Sequence, residues 1–403
     1  MEDTEALRDR VLNGDLRLHE LEDYTDRETA IAVRQEVIKE QTGTSVNAID
    51  RYGFSEEEIE PNIENAIGGT EIPIGVAGAV SISGNYASGE YYLPLATTEG
   101  ALVASVNRGC SVIDKAGGAT TRVMQSGMTR APVFQVESVA EAETVVNWIK
   151  TNMDQLQETA ESTTSHGELL DIDPYVVGDS IYPRFIYDTK DAMGMNMATI
   201  ATRKASELIE EETPARLVAI SGNLCSDKKP AAINAIEGRG KTVIAEVLIP
   251  EDQVQEQLGT TSDAIEEANT RKNLVGSAKA GSLGFNAHAA NVVAAMFLAT
   301  GQDEAQVVEG ANTITTVESR SEGLYMSVSL ASLEAGTVGG GTSLPTQQEA
   351  LEIIGVAGGG DPPGSNAGEL AEVIATGTLA GELSLLAALA SRHLSGAHED
   401  LGR

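Results

Sequence analysis

The sequence predicts an α+β fold, and three features of its 403 residues carry that prediction. Residues 1–45 are charged and keep a helical period. From Glu64 to Arg108 the chain turns Gly-rich and apolar, with short strand-like pieces. Residues 110–219 then run strand, helix, strand, helix. Alternation confined to so short a span fits a small split-βαβ layer better than a large doubly wound sheet. The remainder, 220–403, is rich in Gly and Ala and reads as predominantly helical. The chain is therefore divided into an N-terminal helical domain (1–45), a large domain (46–109 and 220–403) and a small domain inserted in it (110–219).

Taken in order, EALRDRVLNG and DRETAIAVRQEVIKEQ repeat apolar residues at helical spacing. IPIGVAGAVSISG and YYLPLATT read as strands, and TTEGALVASVNRG as a small-residue helix able to pack closely. RAPVFQVE is a strand, SVAEAETVVNWIKTNMDQLQETAE a helix, SHGELLDIDP a loop, and YPRFIYDTK a strand leading into DAMGMNM. The helix MATIATRKASELIEEE follows, with Asp191 placed to cap it. Strand-like RLVAI and the turn SGN come next; NAHAANVVAAMFLATG and GELSLLAALASRHL are helical.

A net charge of −34 sets 61 acidic side chains against 27 Lys plus Arg, so a phosphate polyanion is repelled over nearly the whole surface and no nucleic-acid partner is expected. Such a surface repels itself at low salt and resembles the proteome style of salt-loving archaea. MEDTEALRDR is acidic where an export signal is basic, and no run of 18 apolar residues suggests a membrane span, so a cytoplasmic protein in a high-salt cytosol is expected. Two cysteines, Cys110 and Cys225, are too few for a disulfide framework or a four-cysteine zinc site, and no HExxH is present, so no metal is expected.

Nucleotide signatures are mostly missing. No GxGxxG occurs, and AINAIEGRGKT, although it ends in G-K-T, has Ala235 where the first P-loop glycine belongs. SDKKPAAINAIEGRGK is more informative, because Lys228 and Lys229 place two of ten lysines side by side in an acidic chain. They form either an anion site, one lysine neutralising a carboxylate and the other an oxyanion, or a solvated loop pair. Glu64 in ENAIGG is a candidate acid if burial raises its pKa. Asp303 in GQDEAQ is either a catalytic group or a helix cap. His393 and His398 stand near the C-terminus. Gly339, Gly340 and Gly341 in GTVGGGT either receive a pyrophosphate on backbone N–H groups or form a tight turn. DAMGMNM concentrates three of nine methionines; Met193 and Met197 share a helix face while Met195 points away, so the stretch is either core filler or a holding surface. Neither cysteine has a local base to make it a nucleophile.

Taken together, ENAIGGTEIPIGVAG, ATTEGALVASVNRGC, SGMTRAP, DAMGMNM, SGNLCSDKKPAAINAIEGRGK, NLVGSAKAGS, FNAHAANVVAA, GQDEAQ, GTVGGGT and GELSLLAALASRHLSGAH resemble, in order, the 3-hydroxy-3-methylglutaryl-coenzyme A (HMG-CoA) reductases of archaea and eukaryotes. The resemblance implies reduction of HMG-CoA by two NADPH to mevalonate and CoA, through a mevaldyl thiohemiacetal and mevaldehyde. It implies Glu64 as proton donor, Lys228 as the oxyanion's cation, Asp303 tuning both, and His398 protonating the CoA thiolate. Arg108, Ser221, Asp227, Lys229, Lys272 and Asn291 match the positions that hold the HMG portion, and Leu385, Ala388, Leu389 and His393 an apolar lid and its neighbour.

DAMGMNM (Asp191, Met193, Gly194, Met195, Asn196 and Met197) and GTVGGGT match the cofactor segments. The implied architecture is a mainly helical substrate-binding domain with a long central helix, carrying a ferredoxin-like NADP-binding domain. Homodimers or dimers of dimers are implied, with active sites shared between subunits. Where relatives carry Ser-Arg to grip the NADP 2′-phosphate, this chain has Ser165 and His166. The rival reading is a catalytically silent CoA- or nucleotide-binding protein.

Overall fold

The computed structural model describes residues 3–401, without the side chains of Glu56 and of 392–401. At the N-terminus, α1 (Thr4–Asn13) and α2 (Arg27–Thr42) each end on a glycine in the left-handed conformation, Gly14 and Gly43. The Asp26 carboxylate accepts from the Thr29 amide to start α2. Leu7, Leu21, Ala30, Val33 and Val37 bury their faces in a cluster of their own. Ile31 looks the other way, onto Ile59 and Ala66, which ties this unit to the segment leading into Glu64.

A larger layer begins with the antiparallel hairpin of β1 (Ile74–Ser83) and β2 (Ser88–Ala96), followed by α3 (Leu102–Lys115) and β3 (Ala119–Arg130). β3 is long enough to serve two layers. Its first part pairs with β1 and β8 (Gly240–Ile249), whereas Met128, Thr129 and Arg130 pair with β6 (Ser180–Asp188). The first layer reads β2-β1-β3-β8-β10-β9, where β9 is Thr313–Arg320 and β10 is Gly323–Leu333.

The second layer is antiparallel. β4 (Val133–Gln135) lies between β7 (Arg216–Ala219) and β6, and β5 (Glu168–Val177) pairs along the other edge of β6, giving the order β7-β4-β6-β5. Helices α4 (Val139–Thr151), α5 (Met153–Glu161) and α6 (Met195–Glu212) connect these strands. Phe134, Val145, Ile149, Phe185, Tyr187, Ala201 and Ile209 are among the residues that close its core.

Helix α7 (Ala289–Thr300) and the long α8 (Ser365–Leu401) complete the first core. By length and hydropathy the stretch Ser365–Ser391 is able to cross a bilayer, but 83% of its most apolar window is buried inside the protein. Two carboxylates explain its place there. Glu372 accepts from the Asn85, Tyr86 and Ala87 amides of the β1–β2 turn, and Glu382 accepts from the Ala287 and His288 amides at the start of α7. Each buried charge thus meets backbone donors that would otherwise be unpaired.

Several sequence expectations need correction. SHGELLDIDP is mostly strand β5 rather than loop; a bulge between Leu169 and Asp171 breaks its alternation, leaving Leu169 and Ile172 inward and the acids outward. RAPVFQVE contributes only the three residues of β4, because most of the pairing belongs to β3, which had no counterpart in the reading. The helix over 139–161 breaks at Asn152, whose side-chain amide donates to the Trp148 carbonyl. Residues 220–403 are predominantly helical as expected, but they also carry three strands that the sequence did not reveal, β8, β9 and β10. Helix α3 runs through position 109 to Lys115, and Cys110, Val112, Ile113 and Ala119 pack in the first core, so the second core's own residues start at Met128.

Candidate active site

DAMGMNM is a turn and then a helix start. Gly194, at φ 87°, is the N-cap of α6, which begins at Met195 with no side chain capping its amides. Asp191 therefore does not cap α6 as expected. Its buried carboxylate accepts from the Gly360, Gly364 and Ala367 amides, anchoring the entry to α8. Gly194 has no room for a side chain, because a Cβ there meets Thr189 Cγ2 at 2.2 Å. Met193, Met195 and Met197 pack partly on the second core and also line a cavity of about 720 Å³.

GTVGGGT forms the facing wall. The Thr337 amide donates to the Asp191 carbonyl at 2.7 Å, and a Cβ on Gly336 meets the Met193 nitrogen at 2.4 Å, so the two motifs lie backbone on backbone. Gly339 and Gly340, at φ 80° and 58°, bend the chain away and have nothing within 4 Å of an added Cβ. Gly341 packs against Gly301, the residue two before Asp303. An uncapped helix N-terminus and an open glycine wall across one cavity fit an extended ligand with phosphate groups.

The same cavity is lined by Lys228, Asp303, Pro61 and Asn62. Lys228 Nζ stands 2.8 Å from Asp303 Oδ2, and this carboxylate raises the lysine above its usual pKa, against the opposing effect of partial burial. Asp303 also caps the turn it begins, Oδ1 accepting from the Ala305 amide. Lys228 sits on a constrained loop: Asn223, Ser226 and Lys228 itself all have positive φ, at 62°, 44° and 59°. Its amide donates to buried Glu309 Oε1 at 2.5 Å. Asp227 accepts from Gln306 and pairs with buried Arg239, and Lys229 Nζ turns back to the Asp227 carbonyl.

Other expected residues stand elsewhere on this chain. Glu64 is exposed, without the burial expected of it, although Pro61 and Asn62 just before it reach the cavity. Arg108 donates to Ser384 Oγ at 3.0 Å and to the Ser384 carbonyl. Lys272 is exposed on a π-helical turn and donates to Asn273. Asn291 lines a separate pocket of about 240 Å³ with Ile72 and Thr97. Ser221 lies 3.6 Å from Cys225 Sγ. Leu385, Ala388 and Leu389 are half-buried while Leu386, Ala387 and Ala390 are buried, so they share an outward stripe of α8. The side chains of His393 and His398 lie outside the described residues.

Ser165 and His166 occupy an exposed turn next to Gly167, where a Cβ meets Met197 Cε at 2.5 Å, so this turn abuts the methionine box. The G-K-T stretch is not a phosphate loop: Lys241 is buried in β8, where it donates to the Ala335 carbonyl at 3.5 Å. Burial pushes the Cys110 thiol up to about 12, which removes it as a nucleophile. Burial also pushes Cys225 up, but Ser221, the Ala131 backbone and the Arg130 and Arg239 charges outweigh it and hold this thiol below its usual range. Among the described residues no cluster of three or more side chains suits a metal. Arg239, Glu309 and Glu334 were not singled out in the sequence; buried charges are its only signal, and burial is not visible there.

A family model described as hydroxymethylglutaryl-coenzyme A reductase matches residues 30–403. The chain is 67% identical to the 3-hydroxy-3-methylglutaryl-coenzyme A reductases of Haloferax volcanii and Halobacterium salinarum, over all of both chains in each case. It is 54% identical to that of Pyrococcus abyssi, over 99% of each chain. Among solved structures, the class II 3-hydroxy-3-methylglutaryl-CoA reductase from Streptococcus pneumoniae bound to NADPH superposes with a TM-score of 0.67 at 21% identity, covering 93% of this chain and 100% of that one.

Proposed function

The chain belongs to the hydroxymethylglutaryl-coenzyme A reductase family, and from that premise we propose how its residues share the reduction. The enzyme reduces HMG-CoA to mevalonate and CoA with NADPH. When bound, NADPH supplies the hydrides. The residues that would hold it are those of the methionine box and of GTVGGGT, where the amides at the start of α6 and the backbone of Gly339, Gly340 and Gly341 would receive its phosphates.

Lys228 carries the proposal, because it is the cation in the cofactor cavity, fixed at 2.8 Å from Asp303. Its ammonium stabilises the oxyanion that develops on the substrate carbonyl, and Asp303 fixes its position and extends its charged form to higher pH. Glu64 is the proton donor and His398 protonates the departing thiolate. Ser221, Asp227, Lys229, Arg108, Lys272 and Asn291 bind the HMG portion, its free carboxylate pairing with Lys229 and Arg108. Leu385, Ala388 and Leu389 offer the apolar stripe that covers the methyl side, with His393 one turn on.

Arg108, Lys272 and Asn291 do not line the cavity that holds Lys228. That separation supports a site completed by a second copy of the chain, as a homodimer or a dimer of dimers. We further assign an inserted split-βαβ NADP-binding domain to the stretch 110–219, its own core beginning at Met128, within a large HMG-CoA-binding domain, with 1–45 as a helical accessory, and the enzyme to a high-salt cytosol. The β7-β4-β6-β5 order with helices between the strands supports the insertion.

The test is product stoichiometry. Purified protein in concentrated salt should oxidise two NADPH for each mevalonate and CoA formed, and only with HMG-CoA present. NADPH binding without turnover would favour a silent binding protein.

A further inference from the structure

The geometry points to Arg239, held by Glu309 and Glu334, as a buried positioning hub that locks the lysine loop to the cofactor box. The inference rests on the assignment of Lys228 as the oxyanion's cation. Arg239 is delivered inward by its neighbours: Gly238 and Gly240 take φ 71° and 73°, and a Cβ on Gly240 would meet the Leu333 carbonyl oxygen at 2.6 Å. The side chain is fully buried.

Its two terminal nitrogens reach different walls of the site. Nη2 lies 3.1 Å from Asp227 Oδ1, next to Lys228, and 2.8 Å from Met195 Sδ in the cofactor box. Nη1 donates to Glu334 Oε1 and to Gln306 Oε1, each at 3.0 Å, and lies 3.6 Å from Glu309 Oε1. That Glu309 oxygen accepts the amide of Lys228, and Glu334 leads directly into GTVGGGT. One planar guanidinium therefore ties together the cation's loop, the methionine box and the base of the glycine wall.

A plain charge-neutralising role explains this less well. Three carboxylates, Asp227, Glu309 and Glu334, surround a single guanidinium, and burial raises the pKa of both glutamates. Mutual neutralisation needs only one of them. What the fork geometry adds is registration: the positive-φ loop at 223–228 is fixed by the Glu309–amide bond and the Asp227 pair rather than by burial of Lys228 itself.

Steady-state kinetics on Glu309→Ala, Glu309→Gln, Arg239→Lys and Lys228→Ala, with pH profiles, test it. Glu309→Ala should lose roughly tenfold or more in kcat while KM for NADPH and HMG-CoA stays within about threefold. Its alkaline limb should move to lower pH, because a loosened lysine leaves Asp303. Glu309→Gln, which keeps the acceptor for the Lys228 amide, should recover most of kcat. Arg239→Lys keeps the charge but not the fork and should show the same kcat loss and limb shift; it decides the matter if Glu309→Ala does not fold. Wild-type kcat and pH limb in Arg239→Lys, or a Glu309→Gln no better than a folded Glu309→Ala, would overturn the hub. Lys228→Ala separates the two readings: if it turns over normally, the lysine assignment has failed; if it is dead while Arg239→Lys is normal, only the hub has.

Discussion

Asp303 sits 2.8 Å from Lys228 Nζ and raises that lysine's pKa, so the charged form persists to higher pH than in an unpartnered lysine. Replacing it as Asp303→Asn removes the largest raising influence, leaving the weaker ones of Asp227 and Glu309. The alkaline limb of the kcat profile should then move down by about one pH unit, with kcat at neutral pH reduced about a hundredfold. An unmoved limb would separate the lysine from the titration that controls turnover. Gly194 shows a different residue-scale constraint. The Thr189 contact at 2.2 Å and φ of 87° mean that Gly194→Val cannot leave the fold intact while weakening the cofactor. It should cost about 1–3 kcal/mol of stability in a denaturant melt and raise KM for NADPH together. His166 is exposed beside Gly167 and Met197, free of such constraints. His166→Arg should raise the NADPH over NADH ratio of kcat/KM roughly tenfold, since a bidentate guanidinium recognises a 2′-phosphate better than imidazole. The residues around the cavity differ in how legible they were. Lys228 and Asp303 stood out as a cation pair and an acid in recognisable motifs, whereas Arg239, Glu309 and Glu334 are one charge among many until folding buries them together.

Strand β8 explains why whole elements were missed. KTVIAEVLI alternates, with Lys241, Val243, Ala245, Val247 and Ile249 all inward, but its first residues resemble a nucleotide motif and the inward lysine breaks the apolar pattern. β9 hides in the same way, because Thr313 and Thr315 occupy its inner face beside Val317. Helices α1, α2 and α6 were legible from their helical period, and the hairpin β1–β2 from two short apolar runs, despite a register shift between Gly78 and Val80. Lys241 has a measurable consequence. Burial lowers its pKa from 10.5 to about 8, so below pH 8 the folded state pays for holding a charge that the unfolded chain solvates freely. Between pH 8 and 10.5 the unfolded state binds more protons, and this group's cost fades as pH rises. Lys241→Met should therefore stabilise the protein by about 1–3 kcal/mol at pH 7 and flatten the rise in stability between pH 8 and 10.5 seen in wild type. Equal pH slopes in the two proteins would contradict that reading.

At the scale of the molecule, 61 acidic against 27 basic side chains leave a net charge of −34, and such self-repulsion is relieved by screening. The melting temperature should rise steadily as salt is raised from about 0.1 M to about 2 M, the range over which the screening length falls below the spacing of surface charges. A flat response would remove charge as the reason for any salt requirement. The same scale holds the functional claim. Motifs more than a hundred residues apart in sequence, DAMGMNM and GTVGGGT, meet around one cavity with Lys228 and Asp303 on its wall. The most direct measurement is to compare NADPH binding and HMG-CoA-dependent NADPH oxidation in wild type and Lys228→Ala, side by side in concentrated salt. The account predicts that the variant binds NADPH within about threefold of wild type while turnover falls about a thousandfold, since the lost group acts only on the developing oxyanion. Turnover persisting near the wild-type rate in Lys228→Ala would contradict it.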